Sequence, residues 1–302
     1  MPQGRRAGYL GPEGTFSEEA LLASAVPDAV EPVPLATIYE TVAALGRGEL
    51  EWAVVPIENS LEGSISVTLD LLAEDASDVE IVGEALLRVR HSLIAAEPLE
   101  LEQIDTVITH PQVPGQCTLF LRAELPHAQI LPASSTAEAV RIVAAGGPSG
   151  SGRAAIGTLL AAEIYGGTVL RRGVEDRDDN ETRFVWLARA VDGVGRSEQA
   201  PPPLRAGASG DWKTSLVFWG PGAERPGWLV RCLDEFARRS INLTKIESRP
   251  RRERLGSYMF FVDLAGSATE PSVADAIAGV RALCEQVRVL GSYLAGQAPP
   301  SE

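Results

Sequence analysis

The sequence predicts an α/β protein in two unequal parts, on three observations. Short apolar runs alternate with amphipathic helical patterns through residues 1–191. A Gly-, Pro-, Ala- and Ser-rich stretch, DGVGRSEQAPPPLRAGASGD at 192–211, has no apolar periodicity and reads as a linker. Beyond it, residues 212–296 run strand, helix, strand, strand, helix, strand, the βαββαβ order of a ferredoxin-like small domain.

In the first part, strands are expected at Ala7–Leu10, Trp52–Val55, Thr106–Thr109, Ala154–Gly157 and Thr182–Leu187. Helical spacing places helices at about 18–26, 38–46, 64–74, 116–125, 136–146 and 159–165. Three of these open on S/T-x-x-E capping signatures: Thr15 with Glu18, Thr37 with Glu40, Ser135 with Glu138. The second part reads as strand 214–220, helix 225–239, strands 241–249 and 256–264, helix 271–284 and strand 286–294. Pro226 and Pro271 stand near its helix starts, where a missing N–H costs nothing. Its two βαβ halves form a weak internal repeat, and small domains of this order often pair to bury more surface.

Composition narrows the function. The 302 residues are 45% hydrophobic and 23% charged, ordinary for a packed soluble protein of two domains. No apolar run approaches the ~20 residues that span a bilayer. The opening MPQGRRAGYLGPEG lacks the apolar core of a secretory signal. Cys117, Cys232 and Cys284 are far apart, without metal-like spacing, and read as reduced thiols of a cytoplasmic protein. A net charge of −14 with no Lys/Arg stripe argues against nucleic acid. There are three histidines (His91, His110, His127) and no G-x-S-x-G, H-E-x-x-H, G-x-G-x-x-G or Walker motif. Common hydrolases, metal sites and nucleotide cofactors therefore find no support.

Four stretches place polar groups where strands end: YLGPEGTFSEEA (9–20), WAVVPIENSLEGSIS (52–66), ITHPQVPGQC (108–117) and DDNETRFVW (178–186). Ligands of α/β sheets sit at such strand ends and at helix N-termini, where backbone N–H groups face an anion. The neutral side chains of Asn59, Ser60, Thr109, Gln112, Gln116 and Thr182, with Arg183 for charge, suit a small, oxygen-rich anion. Each also has a structural reading. Asn59 and Ser60 cap a helix, Gln116 decorates a surface, His110 is a satisfied structural histidine, Glu58 hydrogen-bonds backbone, and Arg183 pairs with the acids of 175–181. Asn242 and the run Glu247-Ser248-Arg249-Pro250 suit a zwitterion, or equally turn chemistry and surface pairing.

Taken together, GPEGTFSEEA, VPIENSLEGSI, THPQVPGQC, SSTAEA and NETRF, in that order, resemble the prephenate dehydratase family. RPGWLVRCLDEFARRSINLTKIESRP resembles the phenylalanine-responsive part of the ACT domain that follows in that family. The likeness covers about residues 7–294. It implies decarboxylative dehydration of prephenate to phenylpyruvate without metal or organic cofactor. The implied fold has two lobes with a cleft, like type II periplasmic binding proteins, then the ACT domain. With the matching stretch beginning within ten residues of Met1, the monofunctional form is expected.

The resemblance implies that Thr182 assists the departing hydroxyl, that Arg183 holds a carboxylate or fixes the loop, and that Phe184 anchors the turn. Glu58, Asn59, Ser60, Thr109, Gln112 and Gln116 fall on substrate-binding positions. Gly227, Leu229, Asn242, Glu247, Ser248 and Arg249 fall on the positions for the effector, L-phenylalanine. In the family the effector lies between paired regulatory domains, which implies a homodimer or homotetramer. Three departures stand out: Val113-Pro114-Gly115 ahead of Gln116, Ala133 where some members carry Glu, and Trp228 after Gly227. The competing expectations are the same elimination on arogenate, and a non-catalytic amino-acid-binding regulator.

Overall fold

The computed structural model describes residues 5–146, 152–190, 204, 210–220, 226–253 and 256–296. The first part opens with strand β1 (Arg5–Leu10), helix α1 (Phe16–Ser24), β2 (Val30–Leu35), α2 (Ile38–Gly46) and β3 (Trp52–Asn59). A short β4 (Gly63–Ser64) and α3 (Ser66–Asp70) follow, then β5 (Val79–Arg88) and β6 (Ser92–Ala95). Next come β7 (Thr106–Thr109), α4 (Val113–Gln116), α5 (Thr118–Glu124), β8 (Gln129–Pro132) and α6 (Thr136–Ala145). The part closes with β9 (Arg153–Gly157), α7 (Leu159–Tyr165), β10 (Thr168–Arg172) and β11 (Glu181–Arg189). The second part is β12 (Trp212–Trp219), α8 (Trp228–Ala237), β13 (Leu243–Pro250), β14 (Tyr258–Ala265), α9 (Pro271–Leu283) and β15 (Gln286–Leu294).

These strands make two sheets and hence two lobes in the first part. One sheet has the order β2-β1-β3-β11-β5, the other β10-β6-β9-β7-β8. The chain crosses between the sheets twice, through residues 89–91 after β5 and 173–180 before β11. β3 and β11 are apolar on both faces because both faces are covered. Trp52 and Val54 join Phe184 and Trp186 in one core cluster, with α1. Ala53, Val55 and Ile57 join Val185 and Leu187 in the other, with α2 and α3. Successive side chains of a strand point to opposite faces. Thr182 therefore shares its face with Phe184, and Arg183 shares the other with Val185.

The second part packs onto that second face. Val217, Met259, Phe261, Leu290 and Tyr293 belong to the same cluster as Val55 and Leu187, while α8 and α9 cover its far side. β15 also meets β5 edge to edge, at Gly291 opposite Ile81, so the first sheet runs on through β15-β12-β14-β13. A Cβ at Gly291 would fall 2.1 Å from the Ile81 carbonyl oxygen, so only glycine allows this approach.

Several expected bounds are met, including 38–46, 159–165 and 286–294. Thr15, Thr37 and Ser135 each accept the N–H three residues on. The helix expected at 64–74 is α3 followed by a π-helical turn, Leu71–Asp75, whose end carbonyls accept Arg288. The helix expected at 116–125 breaks at Cys117 into α4 and α5. The one at 225–239 shortens to α8, with Gly227 as its N-cap. β2, β4, β5, β6, β8 and β10 carry no strand expectation; β2, β8 and β10 are sheet edges, whereas β5 and β6 lie inside their sheets. VEPVPL holds two prolines that an edge tolerates. The expected linker lies outside the described residues except Leu204, Gly210 and Asp211; Leu204 bridges to Ala25. No helix among the described residues is long and apolar enough to cross a membrane.

Candidate active site

A cleft of about 940 Å³ opens between the lobes. The first lobe lends it Leu10–Glu13, Thr15–Ser17, Asn59, Glu62 and Thr182; the second lends His110, Gln112, Gln116, Ser135, Thr136, Glu138 and Tyr165. The crossing segments add Val89, His91 and Asn180. The lobes touch across it: Thr158 Oγ1 donates to the Gly14 carbonyl (2.6 Å) and Tyr165 Oη to the Glu13 carbonyl (2.9 Å). Gly14, at φ +82°, lets the loop seat on α7, since a Cβ there would lie 2.8 Å from the Ala161 Cα. Gln112 Nε2 and Gln116 Nε2 both reach Glu62, at 3.1 and 3.4 Å.

β3 ends in a side-chain turn that sets the polar geometry. Asn59 Oδ1 accepts the backbone N–H groups of Leu61 and Glu62, both at 2.9 Å. Its Nδ2 is left facing β11, and donates to Thr182 Oγ1 (2.9 Å) and Asn180 Oδ1 (2.8 Å). With a lone pair of Thr182 Oγ1 taken up, its own hydrogen is free to be donated into the cleft. Asn180 Nδ2 in turn reaches Gln116 Oε1 at 3.3 Å, and His91 Nε2 lies 3.0 Å from the same oxygen. Burial lowers the His91 pKa, with the Gln116 hydrogen bond and Glu175 opposing, so the ring is neutral near pH 7.

The cleft lining includes Glu13, Glu62 and Glu138 and no Lys or Arg among the described residues. Anion-directed donors come instead from neutral side chains and from the N-terminal turns of α1 and α6, which border the cleft at Thr15–Ser17 and Ser134–Thr136.

Arg183 points the other way. It is 7% exposed and lies against Glu84 (3.2 Å), Glu58 (3.2 Å) and Asp263 of β14 (2.8 Å). The Glu84 contact alone is aligned as a hydrogen bond; the others are charge contacts. Burial pulls the Arg183 pKa down, but Asp263, Tyr293, Glu84 and Glu58 outweigh it and the value is raised. Lys213 completes Glu84 (2.7 Å), and Lys245 of β13 completes Glu58 (3.2 Å). Arg183 thus pairs with acids from three other strands rather than with those of 175–181.

The remaining expected residues divide. Thr182, Asn59, Gln112 and Gln116 line the cleft. Ser60 Oγ accepts the Glu181 N–H (3.0 Å) and pins the start of β11. Thr109 is buried and donates to the Ile156 carbonyl (2.8 Å). Phe184 lies in the core. Of the expected effector residues, Arg249 reaches back to Asp70 (2.9 Å) and Ser66 (2.7 Å) of α3, and Glu247 is half-buried. Gly227, Asn242 and Ser248 are exposed. Leu229 packs against the α8–α9 core, where Trp228 is buried with its Nε1 on the Leu283 carbonyl (2.7 Å). His91, Asn180 and Glu62 escape sequence reasoning. Asn180 stands inside the quoted NETRF stretch, which is the one signal available, whereas RVRHSL offers no pattern that points to His91.

The family model described as prephenate dehydratase matches residues 7–192. A prephenate dehydratase of Mycobacterium sp. (strain KMS) is 40% identical, covering 98% of this chain and 92% of the relative. The crystal structure of the Arthrobacter aurescens prephenate dehydratase in complex with L-Phe superposes with a TM-score of 0.81 at 36% identity, covering 96% of this chain and 89% of that one. GqqA, described as a novel type of quorum quenching acylase, superposes with a TM-score of 0.80 at 29% identity, covering 96% and 98%. Family match, full-length likeness and a shared three-part architecture agree: this chain belongs to the prephenate dehydratase family.

Proposed function

We propose that the cleft carries out the decarboxylative dehydration of prephenate to phenylpyruvate, in the service of L-phenylalanine biosynthesis. One ring carbon loses its carboxylate as CO2, the electron pair enters the ring, and the opposite carbon releases its hydroxyl. Aromatisation supplies the drive, and the barrier is the poor leaving group. The observation that carries the reading is the Asn59–Thr182 contact, which leaves the Thr182 hydrogen free to meet the departing oxygen. A threonine hydroxyl is a feeble acid, so Thr182 serves as a hydrogen-bond donor. Gln112 and Gln116, released from Glu62 when substrate enters, offer amide hydrogens to a carboxylate, as do the N-terminal turns of α1 and α6. Within this reading Arg183, Glu58, Ser60, Thr109 and Phe184 hold the strands that present Asn59 and Thr182. No base contacts Thr182 Oγ1 among the described residues, which favours donation over nucleophilic attack of the acylase kind.

A second reading has its own support. Among the described residues, three carboxylates and no Lys or Arg line the cleft, a balance that suits the ammonium group of arogenate. Incubation of the purified chain with each substrate decides between them. Phenylpyruvate, read by its absorbance in alkali, is expected from prephenate; product from arogenate alone, as phenylalanine, would replace this reading, and none from either would remove both.

We further propose that residues 1–191 form the catalytic domain, 192–211 the linker and 212–296 an ACT regulatory domain that responds to L-phenylalanine. A relative of this architecture was solved with L-Phe, which supports the effector. The chosen effector residues face two sides of β13, so a site formed with a second copy fits them better than one within the chain. β13 is an edge strand with Ile246 49% exposed, in keeping with a homodimer or homotetramer. Three free thiols suit a cytoplasmic enzyme.

A further inference from the structure

The turn at Asn59 constrains more than Thr182. Because Asn59 Oδ1 is taken by two backbone N–H groups, the atom it offers Asn180 is a donor, and Asn180 Oδ1 accepts it. Asn180 must then present its own Nδ2 to Gln116, so Gln116 Oε1 is an acceptor. The imidazole nitrogen 3.0 Å from that oxygen, His91 Nε2, has to carry hydrogen. A turn in the first lobe therefore dictates a tautomer in the segment that crosses to the second. The rest of the His91 environment agrees. The residue is 1% exposed, its ring stands edge-on to Phe16 at 5.6 Å, and Nδ1 is buried with no hydrogen-bond partner. Its backbone N–H is tied to Glu175 Oε2 at 2.8 Å, so the main chain holds the ring in place from behind.

We propose that His91 is a positioning residue for the dehydration, whose neutral Nε2–H tautomer holds the Gln116 carbonyl and so turns the Gln116 amide hydrogens toward Glu62 and the cleft. This rests on the dehydratase reading given above. Burial of the ring, which opposes a second proton, supports it. A histidine that merely filled space beside Phe16 would not need a hydrogen on a particular nitrogen, nor would its loss be felt only through Gln116.

The test is steady-state turnover of prephenate by the full chain, with thermal melting of each variant in parallel. His91→Leu, which keeps bulk and removes the donor, is expected to lower kcat about 10- to 100-fold. KM is expected to move by less than about threefold, since the loss falls on the transition state. His91→Gln, which restores an N–H near the Nε2 position, is expected to recover most of the rate. In a Gln116→Ala background, His91→Leu should lower kcat no further, because its effect runs through that amide. Unchanged kcat in His91→Leu, or fully additive losses in the double variant, would overturn the proposal. Should His91→Leu fail to fold, ¹⁵N NMR of the wild-type imidazoles decides: three histidines give three ring pairs. A proton on Nε2 and a bare Nδ1 are expected for the buried one, and the opposite tautomer would refute the assignment. Wild-type protein inactive on prephenate would sink the dehydratase reading itself, and the kinetic role with it, while the NMR would still decide the tautomer.

Discussion

On the β3–β11 pair, neighbouring residues face two different environments. Toward the cleft stand Asn59 and Thr182, joined by one neutral hydrogen bond, in a wall without Lys or Arg among the described residues. Toward the second part stand Glu58 and Arg183, within a largely buried group of three cations (Arg183, Lys213, Lys245) and three carboxylates (Glu84, Asp263 and the half-exposed Glu58). Burying so many charges costs several kcal/mol per ion unless each is met, so this joint tolerates essentially one arrangement. The cleft does the reverse. Neutral donors cost little to desolvate, stay available to a ligand, and leave the handling of anions to dipoles and amides. The difference teaches that charge here locks the two parts together, while the chemistry is left to groups that can exchange partners.

Substitutions can break or sharpen that contrast. Arg183→Met should have the largest effect, because it strands Asp263 and part of Glu84; a loss of about 3–5 kcal/mol is expected by urea denaturation. Thr182→Ala should leave the denaturation midpoint nearly unchanged and cut kcat by about 10²–10³ with KM near normal, as for loss of one transition-state donor. If Thr182→Ala unfolds the chain while Arg183→Met merely slows it, the assignment of the two faces is reversed. Arg249→Ala, which frees Ser66 of α3 and leaves Asp70 to Arg252 alone, and Asn242→Ala should each weaken the response to phenylalanine by about 3- to 10-fold while activity persists. A dose–response curve for phenylalanine that matches wild type in both variants would move the effector site elsewhere. Smallest of all is Arg47→Ala, at an exposed pair with Glu49 over half solvent-accessible on each side; neither melting nor turnover should change.

Much of this architecture is legible in the sequence because the signals are local. Short apolar runs mark β3 and β11, the Ser and Thr caps mark α1, α2 and α6, and Pro271 marks the start of α9. β2 and β8 are not legible: prolines and polar residues, tolerated at a sheet edge, erase the strand pattern. The cleft divides in the same way. Asn59, Gln116 and Thr182 sit in recognisable motifs, but the partners that orient them come from far along the chain. His91 meets Gln116 across 25 residues, and Asn59 meets Asn180 across 121. Arg183 illustrates the limit most plainly. Its type announces a charged partner, and acids lie just upstream, yet Asp263, 80 positions later, is the one that β14 delivers. Until the sheets pack, nothing in composition or spacing distinguishes the buried Asp263 from the acids that stay exposed.

Gly291 gives the seam between β15 and β5 its character. Since the missing side chain leaves room for nothing but the Ile81 carbonyl, the smallest addition there is a wedge. Gly291→Ala would force β15 away from β5 and strain the hydrophobic cluster that the two parts share. Beside this unpadded contact lie the hydrophobic cluster and the salt-bridged layer that the two parts share, so the fit of the whole joint depends on how closely one main chain can lie on the other.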